Sequence, residues 1–95
     1  MIDMEAEFEK HDDEYIKFEN IKDPPCKRPD LCAFLLLDKL MPGDQDIVSA
    51  SEHDEIYLGI STEELAKVAT SDDILYLTRC GVRYDSGTGS LAMFT

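Results

Sequence analysis

Four neighbouring side chains, Glu52, His53, Asp54 and Glu55, are the densest group in the sequence that could bind a metal ion or move a proton. A metal site needs ligands that converge, whereas consecutive turn residues point in different directions, and one histidine among carboxylates is a poor zinc set. As a general acid or base, His53 would need a pocket and an orienting partner, which a hairpin tip does not offer. The sequence therefore predicts that these residues form the solvated tip of a β-hairpin.

The other histidine, His11, opens a similar acidic run, HDDE, at residues 11–14. If the two runs met in the fold, His11 and His53 with neighbouring carboxylates would form a site for a metal ion, a small ligand or an enzyme reaction. This alternative requires the two histidines to lie within a few ångströms of each other. No catalytic constellation is evident otherwise. We therefore expect no enzyme, no cofactor and no metal, and His11 and His53 are only weak metal candidates.

The three cysteines are an odd number, so they cannot form a closed set of disulfides. Cys26 and Cys32 are separated by five residues, which is not the CxxC spacing of redox or zinc motifs. We expect Cys26 in an exposed loop, and Cys32 and Cys80 as small buried side chains. Free thiols, and a first segment without the pattern of a secretory signal, predict a reducing cytoplasm.

The formal charge of −12 on the 95 residues is concentrated in two segments. Residues 1–20 hold eight acids and two bases, and residues 44–73 hold nine acids and one base. Nucleic-acid phosphates and anionic lipids need positive counter-charge. The charge therefore disfavours direct binding to nucleic acid or to a membrane, and it permits a basic protein partner.

Apolar periodicity predicts two helices in the first half of the chain. Apolar residues and His11 recur at helical spacing and predict an amphipathic helix from about residue 3 to 20, with a strand over 14–19 as the competing interpretation. After a proline-rich break, a second helix is predicted from about 30 to 41, with Asp30 as its N-cap. This second helix is apolar nearly all round, so we expect it to be the most buried element and to lie across the sheet.

The second half of the chain predicts two hairpins separated by two short helices. Strands at 47–51 and 56–60 flank a turn whose odd length would pair Val48 with Ile60 and Ala50 with Leu58. Ser61 begins a capping box for a helix over 62–69. A second short helix, over 72–80, is capped by Ser71 and ends at Gly81. The last residues, with a glycine-rich turn at 85–90, form the final hairpin.

This order of elements predicts a single α+β domain over residues 1–95. Small antiparallel hairpins form a sheet that packs against the amphipathic N-terminal helix, the buried central helix and the two short consecutive helices. A composition of 43% apolar and 32% charged residues supports a globular chain.

The sequence predicts a small acidic cytoplasmic accessory protein, of the kind that bacterial or phage genomes encode, acting through a basic protein partner. The acids expected to face that partner are Glu5, Glu7, Glu9, Asp12, Asp13, Glu14, Glu52, Asp54 and Glu55. A sharper form of this hypothesis is phosphate mimicry, in which these acids occupy the DNA site of a nucleic-acid-binding protein. The apolar stripe also permits a homodimer through Met4, Phe8, Tyr15 and Phe18.

Overall fold

A computed structural model describes residues 1–94, and it confirms the predicted α+β fold with four helices and a four-stranded antiparallel sheet in that part of the chain. The helices are α1 (Met4–Lys10), α2 (Pro29–Leu40), α3 (Thr62–Val68) and α4 (Ser71–Arg79). The strands are β1 (Val48–Glu52), β2 (Glu55–Leu58), β3 (Arg83–Asp85) and β4 (Ser90–Phe94). The sheet order is β1-β2-β4-β3, so each hairpin contributes one edge strand and one central strand.

The N-terminal helix is much shorter than the predicted span of 3–20, because it ends at Lys10. Short 3-10 turns follow at 12–14 and 18–20, so the competing strand over 14–19 is also wrong. A tertiary contact accounts for the break. The amide of Ile16, at a φ of 65°, donates to the Thr78 carbonyl in the last turn of α4, at 3.1 Å.

Helix α2 matches its predicted span to within one residue, but the prediction that it is the most buried element is wrong. Cys32, Ala33 and Leu37 are fully buried, whereas Leu31 and Leu35 are 42% and 48% exposed. One face of α2 therefore meets the core, where the helix packs on α4. Arg28 stands at the N-cap position and makes no side-chain capping bond, and Pro29 begins the helix. The predicted cap, Asp30, lies inside the helix and accepts from the next amide.

The first hairpin has a two-residue turn, not the three-residue turn that the sequence suggested. Glu52 pairs with Glu55 across His53 and Asp54, and Ala50 pairs with Tyr57 instead of Leu58. His53 adopts a φ of 58°. Positive φ values in a tight turn match the twist of the two strands, which favours the shorter loop. A register irregularity between residues 48 and 50 then brings Val48 opposite Leu58.

Local capping signals place α3 and α4 close to their predicted positions. The Ser61 hydroxyl accepts from the Glu64 amide at 3.3 Å, although the Glu64 carboxylate turns to Lys67 and leaves the capping box half formed. Thr70, and not the predicted Ser71, caps α4 in a complete box with Asp73. Because Thr70 caps the helix, the Ser71 hydroxyl remains available for other contacts.

The core lies between the helices and the central strands. Its fully buried side chains include Leu37, Leu58, Leu65, Leu77 and Leu91. Gly81 ends α4 at a φ of 97°, a backbone conformation that glycine adopts without a steric penalty. The predicted glycine-rich turn joins β3 to β4. Among residues 1–94, the structure contains no helix with both the length and the apolar character that a membrane span requires.

Candidate functional site

A groove of about 490 Å³ lies between α1 and β3, which pack against each other. Helix α1 contributes Glu5, Phe8 and Glu9 to its wall, and the turn after α1 contributes Asp12 and Tyr15. The opposite wall is formed by residues 82–84 and the loop that follows them. The volume is within the range of ligand and side-chain pockets in proteins. We call this feature the acidic groove, because three carboxylates line it.

Tyr15 lines the acidic groove, and its hydroxyl is buried and has no hydrogen-bond partner within residues 1–94. Burial raises the pKa of this phenol, and the positive charge of Arg83 opposes that rise. A buried hydroxyl without a partner is uncommon, because losing its hydrogen bonds to water is unfavourable. The hydroxyl therefore has an unused capacity both to donate and to accept a hydrogen bond.

Arg83 is the cation of the groove, and two neighbours hold its guanidinium. It forms an ion pair with Glu55 of β2, and its central carbon lies 4.7 Å from the centroid of the Phe94 ring. The Nε atom of Arg83 is buried and makes no hydrogen bond in the described part of the chain. The Glu55 carboxylate compensates the arginine charge, so this cation does not cancel the carboxylates on the opposite wall.

Those carboxylates are Glu5, Glu9 and Asp12, and all three are exposed. None of them forms a salt bridge or side-chain hydrogen bond with another residue in 1–94. Three of the other predicted partner-binding acids are instead engaged within the protein: Glu7 contacts Ser71, Glu14 contacts Arg79 and Asn20, and Glu55 contacts Arg83. The structure therefore divides the predicted set into free and engaged carboxylates.

Glu14 shows how strongly such a carboxylate is engaged. The Asn20 side chain donates to it at 3.0 Å and the Arg79 Nε atom at 2.8 Å. These two hydrogen bonds hold the pKa of Glu14 below its ordinary value, and the one from Asn20 has the larger effect. Glu14 thus fastens the turn after α1 to the end of α4, and its charge is compensated by Arg79.

The tip of the first hairpin does not have the geometry of a site. Glu52, His53 and Asp54 are exposed, and the nearest charged contact of the His53 ring is Glu52, at 3.8 Å. No three His, Cys, Asp or Glu side chains within residues 1–94 are grouped so that they could hold a metal ion. Asp13 is exposed beside the groove acids in sequence but does not line the groove.

The second histidine, His11, belongs to a polar contact between α1 and α4 that the sequence did not reveal. The Ser71 hydroxyl donates to Glu7 at 2.8 Å, and its oxygen lies 3.1 Å from His11 Nε2. Glu7 is 3.5 Å from the same nitrogen. A Ser-His-acid relay needs the carboxylate on the other ring nitrogen and the serine proton on the histidine. Here the serine proton goes to the carboxylate, so these residues hold two helices together. The spacing of Glu7 and His11 on one helix face was the only signal in the sequence.

The apolar stripe expected to permit a homodimer is used inside the protein. Met4 and Phe8 are buried in the core, and Phe18 packs against it. Tyr15 lines the acidic groove. A dimer through these four side chains would require the N-terminal segment to leave its own core.

The three thiols are brought near one another by the fold. Cys26 is half-buried in the loop before α2, where the sequence predicted an exposed loop cysteine, and Cys32 and Cys80 are buried as expected. The Cys26 and Cys32 sulfur atoms are 2.9 Å apart.

Comparison with known proteins adds no function to these observations. No protein-family model matches the chain, and no curated protein or solved structure matches it significantly. Within the described residues, free charge, burial and an unpartnered hydroxyl occur together at the acidic groove.

Proposed function

We propose that the protein is an acidic accessory protein that binds a basic segment of another protein in the acidic groove. The observation that carries the proposal is the combination of three free carboxylates, Glu5, Glu9 and Asp12, with the buried, unpartnered hydroxyl of Tyr15. The carboxylates attract a cation, and the hydroxyl can bond a donor that enters between them. A lysine or arginine side chain supplies both the charge and the donors.

The walls of the groove also suit the stem of such a side chain. Tyr15 and Tyr84 line it, and Phe8 forms its apolar floor beside the core. Long basic side chains place their methylene groups on apolar surface while the charged end remains at polar groups, and aromatic faces attract cations. Arg83 does not strongly repel a basic side chain in the groove, because Glu55 compensates the charge of Arg83.

The charge of the whole chain favours the same kind of partner. A formal charge of −12 attracts a basic surface at long range and speeds association more than it strengthens the final complex. We therefore expect binding that weakens as salt is added, with most of the change in the association rate. A partner whose basic surface binds nucleic acid would be blocked by this protein, as in phosphate mimicry.

The experiment compares three forms of the protein as bait in lysate of the native host at low salt. They are wild type, a groove variant with Glu5→Gln, Glu9→Gln and Asp12→Asn, and a matched control with Asp44→Asn, Glu52→Gln and Asp54→Asn. The control removes the same number of exposed charges outside the groove. We expect a basic protein that wild type and control capture and the groove variant does not.

Kinetics with the purified partner then test the role of charge. We expect the groove variant to associate at least about tenfold more slowly than the control at low salt, with a smaller salt dependence. If only the control variant failed to capture the partner, the interface would lie at the first hairpin, which would contradict the proposal. Binding indifferent to salt would also contradict it. Competition by DNA would identify the partner's surface as its nucleic-acid site.

A further inference from the structure

A pair of thiols lies where the loop before α2 meets the first turn of that helix. The sulfur atoms of Cys26 and Cys32 are 2.9 Å apart, less than one ångström more than a disulfide bond length of about 2.05 Å. Cys26 is half-buried, and Cys32 is completely buried. One cysteine is therefore partly exposed to solvent, and the other lies next to it in the core.

Backbone contacts hold both side chains in this orientation. The Cys26 thiol lies 3.4 Å from the Arg28 carbonyl, and the Cys32 thiol lies 3.5 Å from the Cys26 carbonyl. Pro29 begins α2 between the two cysteines and fixes the backbone at the start of the helix. Because the two side chains already face each other, forming a bond between them requires little movement of the backbone.

We propose that Cys26 and Cys32 form a reversible disulfide by exchange with a low-molecular-weight disulfide such as glutathione disulfide. This site is separate from the acidic groove and does not depend on the proposed partner. The spacing did not predict it, because five residues between two thiols match no redox motif.

The exchange proceeds in two balanced steps. The Cys26 thiolate attacks one sulfur of glutathione disulfide, forms a mixed disulfide and releases one glutathione thiolate. The Cys32 thiol then loses its proton, and its sulfur attacks the Cys26 sulfur and releases the second glutathione thiolate. The two cysteine protons are taken up by the two glutathione thiolates. The protein loses two electrons, and glutathione disulfide gains them.

Cys80 is the third thiol of the region, and it does not take part. It is buried at the end of α4, and burial, together with the nearby Cys32 and Cys26, raises its pKa to about 12. Cys80 is therefore neither open to the reagent nor present as a thiolate near neutral pH. Burial also raises the pKa of Cys32, so the second step should accelerate as the pH rises.

The test uses the purified full-length protein, equilibrated over a series of ratios of glutathione disulfide to glutathione and trapped by acid. Intact mass and peptide mapping of unreduced samples give the product. For wild type and Cys80→Ala, we expect an intramolecular Cys26–Cys32 disulfide, seen as the loss of two hydrogens. The mixed disulfide should be at least about tenfold less abundant, because Cys32 has a high effective concentration at Cys26.

Two variants separate the steps. Cys32→Ser should stop at the Cys26–glutathione mixed disulfide, and Cys26→Ser, at a half-buried position that is easier to change, should form neither product. Reduction with a thiol should restore the starting mass. Accumulation of the mixed disulfide in folded wild type, or a disulfide that contains Cys80, would overturn the proposal. So would a wild-type protein that stays unmodified even in glutathione disulfide alone.

Discussion

At the scale of single residues, the same side-chain type has opposite roles within a few positions of the chain. Glu7 and Glu14 are fixed by hydrogen bonds to Ser71, Asn20 and Arg79, whereas Glu5 and Glu9 face the acidic groove without a partner. An engaged carboxylate holds helices in place, and a free one can attract a ligand. The distinction depends on which basic or hydroxyl group lies opposite, which local sequence does not show.

Tyr15 is the residue whose substitution best separates function from stability. Tyr15→Phe removes a buried hydroxyl that has no hydrogen-bond partner in residues 1–94, so the free energy of unfolding should stay the same or rise by up to about 1 kcal/mol. Partner affinity should fall, because the hydroxyl is then missing from the groove. Urea unfolding and binding measurements on the same preparation test both effects.

The matched control is Tyr76→Phe. Tyr76 packs against the core, and burial together with the nearby Cys32 raises the pKa of its hydroxyl, so this variant should lose about 0.5–1.5 kcal/mol of stability while leaving partner affinity unchanged. A Tyr15→Phe protein that unfolds as readily as Tyr76→Phe would show that the Tyr15 hydroxyl is satisfied in solution. The groove would then lack its unpartnered hydroxyl.

At the scale of elements, helix α1 is too short to be stable alone, and contacts with the rest of the chain determine its position. An isolated helix of seven residues is marginal in water. Met4 and Phe8 anchor it in the core, and the Ser71 hydroxyl joins it to α4 through Glu7 and His11. The polar contact fixes which face of α1 remains outside, and that face carries the groove acids.

Ser71→Ala tests the polar contact between α1 and α4. It should lower the free energy of unfolding by about 1–2 kcal/mol, because the half-buried Glu7 carboxylate loses its closest donor. Ser86→Ala, at an exposed position, should change stability by less than about 0.5 kcal/mol. A double-mutant cycle with Glu7→Ala should give a coupling of at least about 0.5 kcal/mol. Additive effects would mean that the two side chains do not interact.

At the scale of the whole molecule, the sequence predicted what local signals determine. The signals that start or end these helices act on neighbouring residues: Pro29 at the start of α2, the Ser61 cap of α3 and Gly81 after α4. The predicted positions of the three helices were therefore close to the observed ones. The break after Lys10 depends on the contact of Ile16 with Thr78, which lies 62 positions further along the chain.

The sequence did not predict the groove or the contact between α1 and α4, for the same reason. The acidic groove needs α1 beside β3, and these elements are separated by most of the chain. The contact between Ser71 and Glu7 likewise joins α4 to α1. Such pairings follow from tertiary packing, which neither periodicity nor spacing encodes.

The buried thiols and phenols together predict how the stability of the whole molecule depends on alkaline pH. Burial raises the pKa of Cys80 from an ordinary 9.0 to about 12, and it raises the pKa of Tyr76 as well. Above pH 9 the unfolded chain therefore releases a Cys80 proton that the folded chain keeps. The contribution of the buried thiol to stability is fully present below pH 9. Above pH 9 the free energy of unfolding falls by about 1.4 kcal/mol per pH unit for each such proton.

Urea unfolding of wild type and Cys80→Ala, measured from neutral pH up to pH 10.0, which is the ordinary pKa of tyrosine, tests this dependence. The variant should be less stable at neutral pH, because it loses buried contacts, but its stability should fall less steeply above pH 9. Repulsion within a chain of charge −12 also grows as protons leave, so the series is repeated in high salt, which screens exposed charges. If salt removes the pH dependence and the two proteins keep equal slopes, surface repulsion and not the buried thiol controls alkaline unfolding.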